Sequence, residues 1–354
     1  MISIRTLTDG GQQAVEIAHE IGAFLGAATT SLDAALYDLR LHDASADEIV
    51  NALAGRQDAG VGIRVAFNRD YQGGPPVPPP PQADWNRIDA LPVPTKPIPG
   101  VPDLMHHKYV IRDRRTVLTG STNWTDDSWT REENVFVTVD SPEVAARYTE
   151  DFEQLWTRGD VQHSGRVETA PIQVGDATVR TWFTPEHGDD LAHRIAKQLS
   201  RARRRIRIAS PVITSGPILG TLAQVAADRK VDLAGVVDAT QIHEVLSQWH
   251  ENGNASWKTP ALRFVLEQAP FTGKLSTPYA PGSVHDYMHA KVTVADDTAF
   301  VGSFNLSHSG ELNAENILEI EHSGLADELA AFVDSIRLRY SPVRLLAPAN
   351  SIRG

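Results

Sequence analysis

Met105-His-His-Lys-Tyr-Val-Ile-Arg-Asp113 and Met288-His-Ala-Lys-Val-Thr-Val-Ala-Asp296 are two copies of one pattern, 289 − 106 = 183 residues apart. Each is followed by Gly-Ser-x-Asn, at Gly120-Ser-Thr-Asn123 and Gly302-Ser-Phe-Asn305. Ten residues past each asparagine stands Glu-Asn, at Glu133-Asn134 and Glu315-Asn316. One residue inserted at Arg114-Arg115 is the only difference in length across the stretch. Such a repeat means a chain built from two units of one kind, and the flanks agree. Ser31 to Leu41 reads as a strand, Ser45-Ala-Asp-Glu48 as a capping box opening a helix, Gly60 as its stop and Val61 to Phe67 as a strand. Arg205 to Ile213, Pro217 to Ala227 and Val231 to Val237 repeat that order. Each half ends in a helix, opened by Ser141-Pro142 in one and running from about Leu325 to Tyr340 in the other. The fold class is therefore α/β, with two related units, 1–160 and 161–354, joined near Arg158 to Arg166.

Two stretches interrupt the pattern. Tyr71 to Leu104, with Pro75-Pro76-Val77-Pro78-Pro79-Pro80-Pro81, predicts an extended loop with little regular structure, read as a lid or wall of a cleft or else as a disordered surface insertion. Glu251 to Asp286 is read as the equivalent insertion.

A chain of 354 residues, 41% hydrophobic and 22% charged, can bury one large or two ordinary cores. With no cysteine it has no disulfide, thiolate metal site or cysteine nucleophile. The net charge of −12 argues against coating a polyanion, so nucleic acid or anionic lipid would need a local basic pocket. The opening residues lack the pattern of a secretory signal, and no window offers the ~18 apolar residues of a membrane helix. A cytoplasmic protein without stable membrane insertion is the expectation.

Strand geometry places His106 and Lys108 on one face, with His107 and Tyr109 on the other, and His289 and Lys291 together likewise. An imidazole beside an ammonium suits one phosphate: the ring reacts with phosphorus and the cation neutralises the non-bridging oxygens. Asp113 and Asp296 fall at the opposite parity, where a turn or hydrogen-bond network is the expected role. Ser121 with Asn123, and Ser303 with Asn305, share faces and can donate to phosphate oxygens, while Gly120 and Gly302 let backbone approach a ligand. Glu133 and Glu315 are each expected to accept the Nδ1 proton of the histidine in the same half. Displacing an alkoxide from phosphorus needs a nucleophile and an acid, so two halves facing each other supply what one cannot. The scheme requires no metal and no cofactor, and both motifs in one chain make a monomer sufficient.

On these residues the chain resembles a two-motif member of the phospholipase D superfamily, most specifically over Met105 to Phe136 and Met288 to Ile320. The resemblance implies a metal-independent phosphodiesterase with a covalent phosphohistidine, and a site between two α/β/α halves related by a pseudo-twofold axis. It implies that one of His106 and His289 is the nucleophile, by family habit His106, and the other the acid and then base. Lys108, Lys291, Asn123 and Asn305 would bind phosphate, assisted by Ser121 and Ser303. Among substrates, the Met-His-His-Lys start, Gly-Ser-Thr-Asn-Trp124 and Phe152-Glu-Gln-Leu-Trp156 narrowly favour a nuclease-like reading. Phospholipid hydrolysis or transphosphatidylation is the alternative, and a catalytically silent phosphate-binding scaffold a third. The remaining signals have plainer readings. His285 and His289 have the spacing of a helical zinc pair but stand in strand-like sequence, and His107 and His308 are read as packing or rim residues. Arg201 to Arg207 is read as a helix end running into a strand, or else a polyanion patch, and Trp124 and Trp129 as core or stacking residues.

Overall fold

The computed structural model describes residues 1–69, 91, 93–100, 102–253, 256–280 and 282–344. The first half runs β1 (Ile2–Leu7), α1 (Ala14–Gly26), β2 (Ser31–Leu36), β3 (Leu39–Arg40), α2 (Asp43–Asp58), β4 (Gly62–Arg69), β5 (Thr95–Pro99), β6 (Lys108–Arg112), β7 (Thr116–Gly120), β8 (Trp124–Thr125), α3 (Asp126–Thr130), β9 (Asn134–Asp140) and α4 (Pro142–Arg158). The second runs β10 (Ile172–Val174), β11 (Ala177–Phe183), α5 (Gly188–Arg201), β12 (Arg205–Ala209), α6 (Gly216–Asp228), β13 (Asp232–Asp238), α7 (Ala239–Asn252), α8 (Lys258–Gln268), β14 (Phe271–Lys274), β15 (Val292–Ala295), β16 (Thr298–Gly302), α9 (His308–Leu312), β17 (Asn316–Glu321) and α10 (Ser323–Arg337).

The two main sheets repeat one topology. The first has the order β1-β9-β7-β6-β2-β4-β5 and the second β10-β11-β17-β16-β15-β12-β13-β14, so β10 is an added edge strand. In both, the strands that pair parallel are at one end, β2-β4-β5 and β12-β13-β14. The central strands are buried on both faces, which explains why Val-Leu-Thr at 117–119 and Ala-Phe-Val at 299–301 read as apolar runs without alternation.

A shared core fills the space between the halves. Helices α4 and α10 lie in it, α4 against both sheets and α10 against the second. Tyr148 of α4 meets Tyr109 edge-on at 5.0 Å and Phe183 of the second half at 5.0 Å. Each such pair contributes about 1 kcal/mol beyond the area it buries, so Tyr148→Ala would loosen one half from the other. Two further cores back the outer faces, under α1 and α2 in the first half and under α5, α6 and α8 in the second.

Several sequence expectations change. Residues 71–90 of the proline-rich stretch lie outside the described residues. Its end is not loop: Thr95–Pro99 is edge strand β5, parallel to β4 with Val65 opposite Thr95. An edge tolerates Pro97 and Pro99 because a proline needs a partner on one side only. Within 251–286, α8 and β14 are regular structure as well. Helix α2 opens at Asp43 with His42 as N-cap, not at Ser45; the His42 backbone amide donates to Asp126 at 2.9 Å, anchoring that earlier start. Ser141 does cap α4, its hydroxyl accepting from the Val144 amide at 3.3 Å.

Candidate active site

His106 and Lys108 enter β6, and His289 and Lys291 enter β15, at the ends of the sheets where the two halves meet. Short bridges hold that junction: Met105 pairs with Ala314 and Met288 with Glu133, each across the halves. The His106 amide donates to the Ala314 carbonyl at 2.9 Å. Each lysine folds back on its own motif, Lys108 Nζ donating to the His106 carbonyl at 2.5 Å and Lys291 Nζ to the His289 carbonyl at 2.7 Å. All four side chains are buried.

Burial, reinforced by both lysines, holds the His106 imidazole well below its usual range, and the same causes act on His289. Each lysine therefore acts on the histidine of the other half as well as its own, which makes the four groups one site. Burial lowers Lys108 to about 7 against the pull of Glu315 and Asp38. It lowers Lys291 well below the ordinary lysine range, with Lys108 adding to the effect. Burial thus favours the neutral form of all four groups.

The partners of the two histidines differ from the sequence expectation. His106 Nδ1 lies 2.8 Å from both oxygens of Glu315, a residue of the other half rather than its own. His289 does not meet Glu133. Its Nδ1 is 3.1 Å from Asn134 Oδ1 and 3.4 Å from Glu132 Oε2. The reason is a slip of one residue between the copies. Gly120 pairs with Phe136 and Gly302 with Ile317, so the glycines are 302 − 120 = 182 apart but their partners 317 − 136 = 181. Asn134 accordingly occupies the place that Glu315 holds in the other copy. The short helices stay in step, with Thr125 capping α3 through the Ser128 amide and Ser307 capping α9 through the Gly310 amide. The extra residue falls after them, where Glu132-Glu133 stands against Ala314 alone.

Glu133 is consequently displaced from the site. It accepts from Lys274 Nζ at 3.1 Å and from the Tyr340 hydroxyl, tying β9 to β14 and the chain past α10. Glu132 takes a place that no motif assigned: fully buried, it accepts from Ser128 Oγ at 2.6 Å and Asn134 Nδ2 at 3.0 Å. Burial raises it to about 7, and raises Glu315 to about 7 likewise.

Other predicted site residues are placed as follows. Asp113 and Asp296 lie away from the histidines at positive-φ turns, φ 54° and 53°. Asp113 accepts from the amides of Thr29, Thr30 and Ser31, and Asp296 from those of Arg203, Arg204 and Arg205. They fasten the start of a neighbouring strand and do not reach the reacting groups. Ser121 and Ser303 are not free to meet substrate. Ser121 Oγ donates to Asn134 at 2.7 Å and accepts from the Val135 amide, while Ser303 Oγ accepts from the Asn316 amide at 3.0 Å. Gly120 and Gly302 admit a neighbouring strand rather than a ligand: a Cβ would stand 2.0 Å from the Val135 carbonyl oxygen or 2.1 Å from that of Asn316. Asn123 and Asn305 remain, each with a buried Oδ1 lacking a partner.

Around this centre, the Tyr37 ring packs edge-on against His106 at 4.6 Å and under Lys108 Nζ at 4.6 Å. Asp38 is buried and paired to Arg40 at 2.8 Å, and Arg40 Nη2 stands 3.3 Å from His285 Nδ1 of the other half. The Ser31 to Leu41 run offered no signal for these roles, since only folding brings its end to the junction. His107 is core, between Asp151 and Asn316, and His308 is exposed beside Glu311. Arg204, Arg205 and Arg207 are spent on Asp297, Asp327, Asp232 and Asp334. Trp124 and Trp129 are buried. Among the described residues no group of three or more His, Asp or Glu side chains is placed to hold a metal, and no helix is long and apolar enough to cross a membrane.

Comparison with known proteins places this geometry. The profile of a family described as "Cardiolipin synthase, PLD-like domain" matches residues 21–156 and 195–337. Mitochondrial cardiolipin hydrolase of Homo sapiens is 43% identical over 56 residues, 16% of this chain and 22% of that protein. The protein of that name from Chlamydomonas reinhardtii is 28% identical over 137 residues, 38% of this chain and 54% of that one. The chain thus spans between about a fifth and about half of the length of these curated relatives. Among solved structures, phosphatidylserine synthase of Haemophilus influenzae Rd KW20 superposes with a TM-score of 0.64 at 14% identity, over 97% of this chain and 87% of that one.

Proposed function

This chain belongs to the phospholipase D-like family, and on that footing we propose that it cleaves the phosphodiester of a phospholipid through a phosphohistidine on His106. The observation that carries the reading is the His106–Glu315 pair at 2.8 Å, set in one buried site with His289, Lys108 and Lys291. Glu315 accepts the Nδ1 proton, fixing the tautomer and supporting positive charge on the ring, so Nε2 is the nitrogen that meets phosphorus. His106 Nε2 forms the N–P bond as the P–O bond to the leaving alcohol breaks, and that oxygen takes a proton from His289. A water or alcohol then gives its proton to His289 and attacks phosphorus, releasing His106. The negative charge of the bound diester lets His289 carry its proton in a site that otherwise keeps it neutral. Lys108, Lys291 and the amides of Asn123 and Asn305 hold the non-bridging oxygens.

Lipid is favoured over nucleic acid by the cardiolipin-related family and relatives, and by how the basic and aromatic residues are used. Three of the five arginines of the run that could have followed a polynucleotide, Arg204, Arg205 and Arg207, are paired with acids, both tryptophans near the first motif are buried, and the chain carries a net charge of −12. The test is a parallel assay on phosphatidylglycerol and cardiolipin vesicles and on single-stranded DNA, with EDTA present. Headgroup release from vesicles and intact DNA is the expected result; cleavage of DNA with no action on either lipid would overturn it.

A further inference from the structure

The outer layer of the first half is hollow. A cavity of about 270 Å³ lies there between the sheet and α2, lined by Leu32, Ala34 and Leu36 of β2 and by Ala46, Ile49 and Leu53 of α2. That exceeds the ~150 Å³ apolar cavities that stay dry and take up an aromatic ring. The lining extends along β2 from Leu32 to Leu36, about 13 Å of strand, and along α2 from Ala46 to Leu53, about 10 Å of helix, and is called the slot below.

The slot has a closed end and an open one. Leu25, Leu32 and Leu53 at one end are buried. The exposed or half-exposed lining residues, Leu39, Asp47, Val50 and Leu91, include β3 and the first turns of α2, elements that follow the carboxyl end of β2. That is the end at which Tyr37 touches His106. Trp124, which also lines the slot, directly follows Asn123. Asp47, at the mouth, is the one ionisable side chain among the described lining residues. In the second half, α8 lays Leu262, Val265 and Leu266 onto α6 and the core.

We propose that this slot takes one aliphatic chain of the phospholipid substrate, entering at Val50 and Leu39 while the phosphate sits between His106 and His289. This rests on the lipid reading above. A hydrophobic space whose exposed lining residues stand at the end nearer the reacting centre matches a hydrocarbon chain and nothing charged. It also makes the first half a part of the molecule that senses the lipid body.

Two variants fill the slot: Ala46→Phe inside it, and Val50→Trp at its mouth, where a half-exposed position (39%) keeps the fold intact. The probes are dansyl-labelled undecanoic acid, read by fluorescence, and a pair of phosphatidylglycerols with oleoyl or butyryl chains. Wild type binds the probe and both variants lose it. The ratio of kcat/KM for the long-chain over the short-chain lipid falls about tenfold or more in Val50→Trp, the factor that burying about two methylenes supplies. An unchanged ratio, or probe binding that is absent in wild type or equal in all three proteins, overturns the slot. If no lipid is hydrolysed but the probe binds in wild type and not in the variants, the slot stands and the lipid-hydrolase reading falls.

Discussion

The two halves of this molecule share a topology and differ at the atom that matters for each histidine. In one, an imidazole from the first half leans on a carboxylate, Glu315, from the second. In the other, His289 leans on an amide, Asn134, with the carboxylate of Glu132 behind it. A direct carboxylate supports charge building on a ring; an amide oxygen orients a ring with less gain when it becomes cationic. A single extra residue after α3 thus turns a symmetric scaffold into a site with two different histidines. In the proposed mechanism this difference lets His106 take phosphorus and His289 pass a proton. The described parts of the outer layers differ as well: α8 packs onto α6 in the second half, and the first holds the cavity beside β2.

Removing either ring tests the division of labour most severely. His106→Ala and His289→Ala each lower kcat by about 10⁴-fold or more. Intact-protein mass spectrometry separates them, since only His289→Ala can accumulate a covalent phosphatidyl adduct; an adduct on His106→Ala would reverse the assignment. The partners come next. Glu315→Gln lowers kcat by about 10²- to 10³-fold, whereas Glu132→Gln costs about tenfold or less because Asn134 still holds its ring. Equal losses in the two variants would erase the asymmetry.

A smaller effect is expected in the pH profile. Glu315, raised by burial to about 7, stops accepting from His106 as pH falls below that value, and Lys108, lowered by burial to about 7, loses its charge as pH rises above it. The kcat/KM profile is then bell-shaped, with both limbs belonging to the coupled group. Lys108→Arg moves the alkaline limb upward because a guanidinium stays charged. An unmoved limb would assign it elsewhere.

The smallest effects belong to the motif aspartates. Burial works against ionisation of Asp113, but the amides of Ser31, Thr30 and Thr29 outweigh it and hold the carboxyl at about 2. Its contribution to stability is therefore present above the ordinary value of 3.8 and is lost as pH falls through about 2. Asp113→Asn and Asp296→Asn each lower Tm by about 2–4 °C at neutral pH and leave kcat within about twofold. Asp113→Asn has the larger effect because the hydroxyls of Thr29 and Thr30 also donate to it. A hundredfold loss of turnover in a variant of normal Tm would put these carboxylates back in the chemistry.

Sequence alone determined the duplication and the α/β class and singled out His106, Lys108, His289 and Lys291 as candidates, because strand periodicity is local and a repeat is visible as identity. It also placed the motif aspartates at turns. It could not determine that each histidine finds its partner in the opposite half, nor that Asn134 rather than Glu133 stands at the place of Glu315. Equal spacing in sequence cannot register a bulge that the chain absorbs after a helix, and hydrogen bonds across an interface follow from packing two units, not from the order of residues in either. The slot beside β2 was invisible for the same reason: its walls are ordinary core residues, and only the space their packing leaves in three dimensions makes a cavity.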